Sequence, residues 1–354
     1  MPVVLPSTWE NEEYMTQLCK KNIDLMCCNC PCSSLSKINR NASVDGKNNV
    51  HFYRLFKMFR QVKPKVFIVE NAPTLVSIGL RILQDMVSQL EDTYRFTVIR
   101  DFAGNHGVPM LRHRTLVVGW RRDAFPQIPL VEQDCQKKVT VKDTLNDIMS
   151  NTVDDFKSPT ADKISDLYKY AIPGHTIMQS LAVKMQQNEN GFADMLNKRL
   201  SGTSYLREIN RISQKMASGK RYWDKSPIKL RDNEHFPSFT SVTQYIHPHQ
   251  DRMLNVLELK RIMNYPDWYD FTDPEKKCTI PLLQAMAQGV PVNFGKYIAL
   301  QARKALEKKL ELLDSPDTVV VLQNHSSHMR SLFTSDEFKA LIELNTKKDA
   351  EKIK

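Results

Sequence analysis

Two apolar runs that each stop at a chemically loaded turn constrain this chain more than any other feature. Ile23-Asp24-Leu25-Met26-Cys27-Cys28-Asn29-Cys30 breaks at Pro31-Cys32 and opens into Ser33-Ser34-Leu35-Ser36. Further on, Lys65-Val66-Phe67-Ile68-Val69 runs into Glu70-Asn71-Ala72-Pro73. Short apolar runs bounded by turn residues read as strands. In an open α/β sheet, ligands bind beyond the carboxyl ends of such strands. A thiol and a carboxylate at two neighbouring strand ends place a nucleophile opposite an acid.

The rhythm around these runs supports a sheet with covering helices. A helix is expected at Trp9 to Lys21, before the cysteine strand, and Val3 to Ser7 reads as a strand end. The loop Asn39 to Asn49 leads to Phe52, Leu55, Phe56, Phe59 and Val62, whose three- and four-residue spacing predicts a helix that Pro64 ends. A second helix is expected at Val76 to Leu90. An alternating strand follows at Tyr94 to Arg100 and another strand at Thr115 to Gly119. Strands alternating with helices imply an α/β fold.

From about Arg121 to His235 this rhythm lapses into a polar, basic segment with one helix expected at Ser180 to Gln187. It reads as an inserted module. Regular structure resumes with a helix at Leu254 to Met263 and another from Val292 through Leu313. A strand at Thr318 to Leu322 and an amphipathic helix begun by Thr334-Ser335-Asp336-Glu337 complete the tail.

The formal charge of +10 favours a polyanionic partner. Between Lys198 and Arg231 stand ten lysines and arginines against two acids, Glu208 and Asp224, with Tyr205, Tyr222 and Trp223 interleaved. Such a stretch suits tracking of phosphates. An odd count of seven cysteines, four of them between Cys27 and Cys32, does not make a disulfide framework and points to a reducing compartment. Zinc is the other reading of that cluster. Consecutive strand residues point to opposite faces, so no metal site is expected there. No apolar run approaches the roughly 18 residues of a membrane span, and no secretory signal opens the chain, so a cytoplasmic (bacterial or phage-infected host) or nuclear location is expected.

Taken together, these elements resemble the DNA cytosine-5 methyltransferases. The family's Pro-Pro-Cys-Gln motif is matched by Cys30-Pro31-Cys32-Ser33, after the Ile23-Asp24-Leu25 strand start. Its Glu-Asn-Val is matched by Glu70-Asn71-Ala72, after Lys63-Pro64-Lys65. Its Gly-Val-Pro-Gln-x-Arg-x-Arg is matched by Gly107-Val108-Pro109-Met110-Leu111-Arg112-His113-Arg114. Beyond the insertion, His247-Pro248, Arg252, Leu257-Glu258, Arg261 and Tyr265-Pro266-Asp267 are similar to the element that braces the recognition domain. Ala287-Gln288-Gly289-Val290-Pro291-Val292 is similar to the closing motif.

The resemblance implies roles. Cys32 is the thiolate that attacks C6 of a flipped cytosine, making C5 enamine-like so that it accepts a methyl group from S-adenosylmethionine. Glu70 holds and protonates N3. Arg112 and Arg114, two apart on an extended segment, share a face and clamp a phosphate or the ring O2. Pro31, Gln288 and Val292 line the cofactor site. Arg207, Arg211, Lys220, Arg221 and Arg252 contact double-stranded DNA. A restriction-modification or phage setting follows from the family.

The resemblance also has gaps. The family's Phe-x-Gly-x-Gly loop, which grips S-adenosylmethionine, is missing from the 31 residues before Cys32. Met110 replaces the usual Gln, and Ala287-Gln288 replaces Gly-Asn. Without the family's first strand, Ile23 to Cys28 is expected at an unpaired sheet edge. The expected fold class is therefore α/β: an incomplete Rossmann-like methyltransferase sheet with an inserted target-recognition domain and a C-terminal helical tail. The expected domains are a catalytic core at 1–121, the recognition insertion at 122–245, a return to the core at 246–314 and an extension at 315–354. Four readings stay open: a split enzyme whose second polypeptide supplies the loop, a truncated enzyme, a non-catalytic DNA-binding subunit or degenerate paralogue, and a tRNA cytosine-5 methyltransferase.

Overall fold

The computed structural model describes residues 11–36, 39, 41–132, 136–148, 163–220, 222, 224–238, 244–269, 286–314 and 318–323. The strand expected at Val3 to Ser7 and the helix begun by Thr334 lie outside the described residues. The chain divides into two compact units. The first comprises 1–106, 113–136 and 295–354, and the second comprises 107–112 and 137–294. The sequence reading returned to the core at 246, whereas this division keeps 246–294 with the inserted unit.

The first unit is built on a mixed sheet. Its strands are β1 (Leu25–Asn29), β2 (Val66–Asn71), β3 (Tyr94–Phe102), β4 (His113–Arg121) and the strand Val319–Gln323. They lie in the order β1, β2, β4, β3, Val319–Gln323. β1 runs parallel to β2, and β4 runs antiparallel to both β2 and β3. The carboxyl ends of β1, β2 and β3 therefore share one edge with the start of β4. Among the described residues β1 is an edge strand with β2 as its partner, and its Cys27 and Asn29 side chains are exposed.

Three helices cover one face of this sheet: α1 (Glu12–Cys19), α2 (Val50–Val62) and α3 (Leu80–Leu90). The spacing read from Phe52 to Val62 is the buried stripe of α2, and Lys63 closes the helix in the left-handed region at φ 49° before Pro64. Phe59 stacks on Phe67 of β2 at 4.0 Å, and Phe67 meets Tyr94 edge-on at 4.9 Å. Gly119 lies opposite Phe67 in the register. A Cβ there would sit 2.1 Å from the Phe67 ring, so the aromatic layer exists because position 119 has no side chain.

Several boundaries differ from the sequence reading for local reasons. α3 starts at Leu80 rather than Val76, because Pro73–Val76 winds into a separate 3-10 turn. β3 is buried on both faces apart from Arg95, so it does not alternate inside and outside. The helix from Val292 ends at Leu306, with Lys308 at φ 57°, and Leu312–Leu313 pairs instead with Ile128–Pro129.

The second unit is more helical than its composition suggests. α4 (Val141–Leu145) is followed by α5 (Ile177–Gln187), α6 (Phe192–Arg199) and α7 (Ser204–Ala217). A capping box between Thr176 and Gln179 starts α5, and the Thr203 side chain caps α7. Ile209 and Ile212 of α7 join Ile177, Leu181, Leu196 and Ile246 in a separate core. Charged residues on the outer face dilute this apolar stripe in the sequence, which is why the segment reads as irregular. α8 (Val256–Ile262) begins with the Asn255 and Glu258 capping box.

Candidate active site

Pro31 and Cys32 are exposed at the turn that follows β1. The Cys32 carbonyl accepts from the N–H groups of Leu35 and Ser36, both at 2.9 Å, which closes the turn beneath the thiol. Leu35 is fully buried, and the Thr74 hydroxyl donates to its carbonyl at 2.5 Å. Ser43 donates to the Ser34 carbonyl at 2.9 Å, and the Asn39 and Asn48 amides donate to Ser33. The thiol thus stands on a scaffold tied to both the core and the following loop.

Asn71 joins this turn to β2. Its amide donates to the Cys30 carbonyl at 3.0 Å, and its side-chain oxygen accepts from the Ala72 N–H at 2.9 Å. Both groups are buried, so this amide carries hydrogen bonds that water cannot replace. One residue earlier, Glu70 lies opposite Asn29 of β1 and is 8% exposed. Arg114 Nε meets Glu70 Oε1 at 2.5 Å, and Arg114 Nη1 donates to the His113 carbonyl at 2.7 Å. Burial, reinforced by the Glu70 charge, pushes the Cys30 thiol up to about 12. Cys30 is therefore an inert neighbour, while Cys32 is the thiol open at the turn.

β4 separates two environments residue by residue. His113 stacks on Phe102 at 4.7 Å, and burial together with the Arg114 charge pushes its imidazole down to about 4. Arg114, the next residue, faces Glu70 on the other side. Asp101, opposite Arg114 in the register, is fully buried and holds the turn after β3. It accepts from the Phe102 N–H at 2.7 Å and from Asn105 at 3.1 Å, and it contacts His106 at 2.8 Å. Sequence reading missed Asp101 and His106, since nothing in the spacing of a strand end marks an internal acid–imidazole pair.

The other residues singled out in the sequence have varied settings. Arg112 does not extend alongside Arg114. Its backbone is folded into tight turns with Met110, and extension begins only at His113. Its guanidinium is buried and donates to the Ala287 and Gly289 carbonyls at 2.9 and 2.8 Å within the second unit, which binds the two motif fragments together. Gln288 and Val292 are exposed there. Arg252 turns inward, with Nη1 and Nη2 at 3.0 and 2.8 Å from a fully buried Glu258. It is a brace, because a guanidinium committed to a buried carboxylate is not offered to phosphate. Arg207 and Lys220 are exposed, Arg211 is clasped by Glu208, and Arg221 lies outside the described residues.

The turn-borne thiol, the adjacent strand-end carboxylate and its guanidinium partner lie within a family match that spans most of the chain. The model of the C-5 cytosine-specific DNA methylases matches residues 9–304. The chain belongs to that family. It is a DNA (cytosine-5) methyltransferase by kinship, and hence of the transferase class. The chain is 25% identical to the type II methyltransferase M.XorII of Xanthomonas oryzae over 336 residues, 87% of this chain and 73% of that protein. It is 20% identical to the type II methyltransferase M.HhaI of Haemophilus parahaemolyticus, covering 84% and 82%. A DNA modification methyltransferase encoded within an Escherichia coli prophage shares the fold at a TM-score of 0.56 and 17% identity, over 86% of this chain and 85% of that one.

S-adenosylmethionine is the methyl donor of this methyltransferase family. The residues present do not by themselves make its grip. The eleven glycines of the chain include no Gly-x-Gly. Among the described residues no helix is long and apolar enough to cross a membrane.

Proposed function

We propose that Cys32 adds to C6 of a cytosine everted from duplex DNA, with Glu70 and Arg114 holding the ring. The thiolate forms the C6–S bond, the C5=C6 electron pair shifts to C4=C5, the N3=C4 pair moves onto N3, and N3 takes a proton from the Glu70 carboxyl. C5 is then nucleophilic. Arg114 fixes the carboxyl and offers a guanidinium N–H to the ring O2. Once C5 carries a methyl group as well as its hydrogen, loss of that proton and of the thiolate restores the aromatic ring. Eversion costs a few kcal/mol, which phosphate contacts by the basic second unit offset. The relatives are named type II methyltransferases, and the same modification role is proposed here.

The observation that carries this reading is the single amide, Asn71, that ties the Cys32 turn to the strand presenting Glu70. The test is incubation of the chain with duplex DNA containing 5-fluorocytosine and S-adenosylmethionine, where the fluorine blocks the final elimination. A denaturation-resistant adduct that maps to Cys32 and is absent in Cys32→Ser is expected. DNA binding with no adduct under any condition would sink the reading. An adduct formed by the chain alone makes a second polypeptide unnecessary, whereas one formed only with an added loop-bearing partner supports the split arrangement.

A further inference from the structure

One surface of the second unit has a pattern that simple attraction to phosphate does not explain. α7 is a 14-residue helix that buries Ile209 and Ile212 fully. At 3.6 residues per turn, the stripe opposite that apolar face carries Arg207, Arg211 and Gln214. Arg207 and Gln214 are exposed, and the Arg211 side chain is 38% exposed. Lys198 and Lys220 flank the helix and Lys215 stands in its last turn, and together they supply positive charge around it.

Two details separate base reading from phosphate tracking. First, a purely electrostatic strip has no use for the uncharged Gln214 or for an acid, yet Glu208 sits among these cations. Second, that acid clasps Arg211 through Nε at 2.7 Å and Nη2 at 2.5 Å. The clasp fixes the plane of the guanidinium before any ligand arrives, which reduces the rotamer freedom lost on binding. Arg pairs with O6 and N7 of guanine and Gln with N6 and N7 of adenine, and the major groove admits a helix. A helix of about 21 Å spans several base pairs of that groove.

We propose that α7 reads sequence, lying in the major groove of duplex DNA with Arg207, Arg211 and Gln214 on base edges and Glu208 as the positioning residue for Arg211. This rests on the methyltransferase reading above. It goes beyond the sequence expectation, which placed a recognition insertion at 122–245 and a phosphate-tracking stretch within it but named no base-reading residue.

The test uses the full chain and a randomised duplex pool, sequencing what binds. The wild type is expected to enrich one sequence. Arg207→Ala, Arg211→Ala and Gln214→Ala should each lose preference at a single position, with affinity for the enriched sequence falling roughly tenfold and little change for unselected duplex. Lys220→Ala should weaken binding to every sequence alike. Circular dichroism should be unchanged, since these side chains lie off the core. The inference is overturned if the three variants keep the wild-type preference or lose affinity uniformly. A wild type that binds no duplex would instead sink the proposed function, as would a missing Cys32 adduct, so the two failures are distinguishable.

Discussion

Replacing Arg252 by Met separates a structural brace from a hand on DNA. Glu258 is fully buried, and Arg252 supplies two of its hydrogen bonds, at 3.0 and 2.8 Å; the Asn255 N–H supplies another at 2.8 Å. The remaining neighbour is His247, 3.7 Å away, whose imidazole burial pushes down to about 4, so at neutral pH it brings no charge. Arg252→Met therefore leaves a buried carboxylate without a counter-charge, a loss of about 3–5 kcal/mol. The double variant Arg252→Met/Glu258→Gln keeps the capping geometry without the charge and should regain most of that loss. Arg252 is also one of the charges that keep His247 neutral, so its removal lets His247 take up a proton next to Glu258. The destabilisation should consequently be smaller at pH 5 than at pH 8. Urea unfolding followed by circular dichroism at both pH values measures this, with the salt dependence of DNA binding alongside. Unchanged unfolding combined with a salt slope reduced by about 0.9, the signature of one lost phosphate contact, would refute the brace.

Other outcomes follow from the same geometry. Gly119→Ala forces a methyl group against the Phe67 ring and should destabilise the first unit by about 1–3 kcal/mol; an unchanged melting temperature would contradict the described aromatic layer. Asn71→Ala strands the buried Cys30 carbonyl, costs about 1–3 kcal/mol, and should slow adduct formation at Cys32 more than it weakens DNA binding. Equal losses in both would mean the amide does not position the thiol. His113 is held near 4 against an ordinary value of about 6.5, so between those values the unfolded chain binds a proton that the folded chain refuses. Stability should fall as pH drops through that window and level off below it. His113→Phe, which keeps the stack on Phe102, should make that fall shallower, and an identical pH profile would refute it.

The sequence made the strand ends legible because their signals are local. An apolar run followed by Pro31-Cys32, or by Glu70-Asn71, says where a strand stops whatever surrounds it. The α2 stripe from Phe52 to Val62 was readable for the same reason. Arg112 was misread because two arginines at an even spacing imply a shared face only on an extended backbone, and the turns at Met110 to Arg112 break that premise. Arg252 was read both as part of the bracing element and as a DNA contact, and the buried Glu258 that claims its guanidinium agrees with the first of these. In the second unit α5 and α8 fall where the sequence leads one to expect them, whereas α7 was missed because Ile209 and Ile212 are outnumbered by solvated neighbours, so composition hid the period. Asp101 and His106 come together only when the turn after β3 closes.

On β4, consecutive residues serve opposite sides: His113 lies flat on Phe102, and Arg114 grips Glu70. Deleting a single residue from that ladder would exchange the two, turning the guanidinium toward the aromatic side and setting a neutral imidazole before the carboxylate. Drift by substitution is graded along such a segment, but a change in its length is all or nothing. Lineages of this protein should therefore tolerate varied residues between Arg114 and Gly119 while keeping those two residues and the count between them fixed.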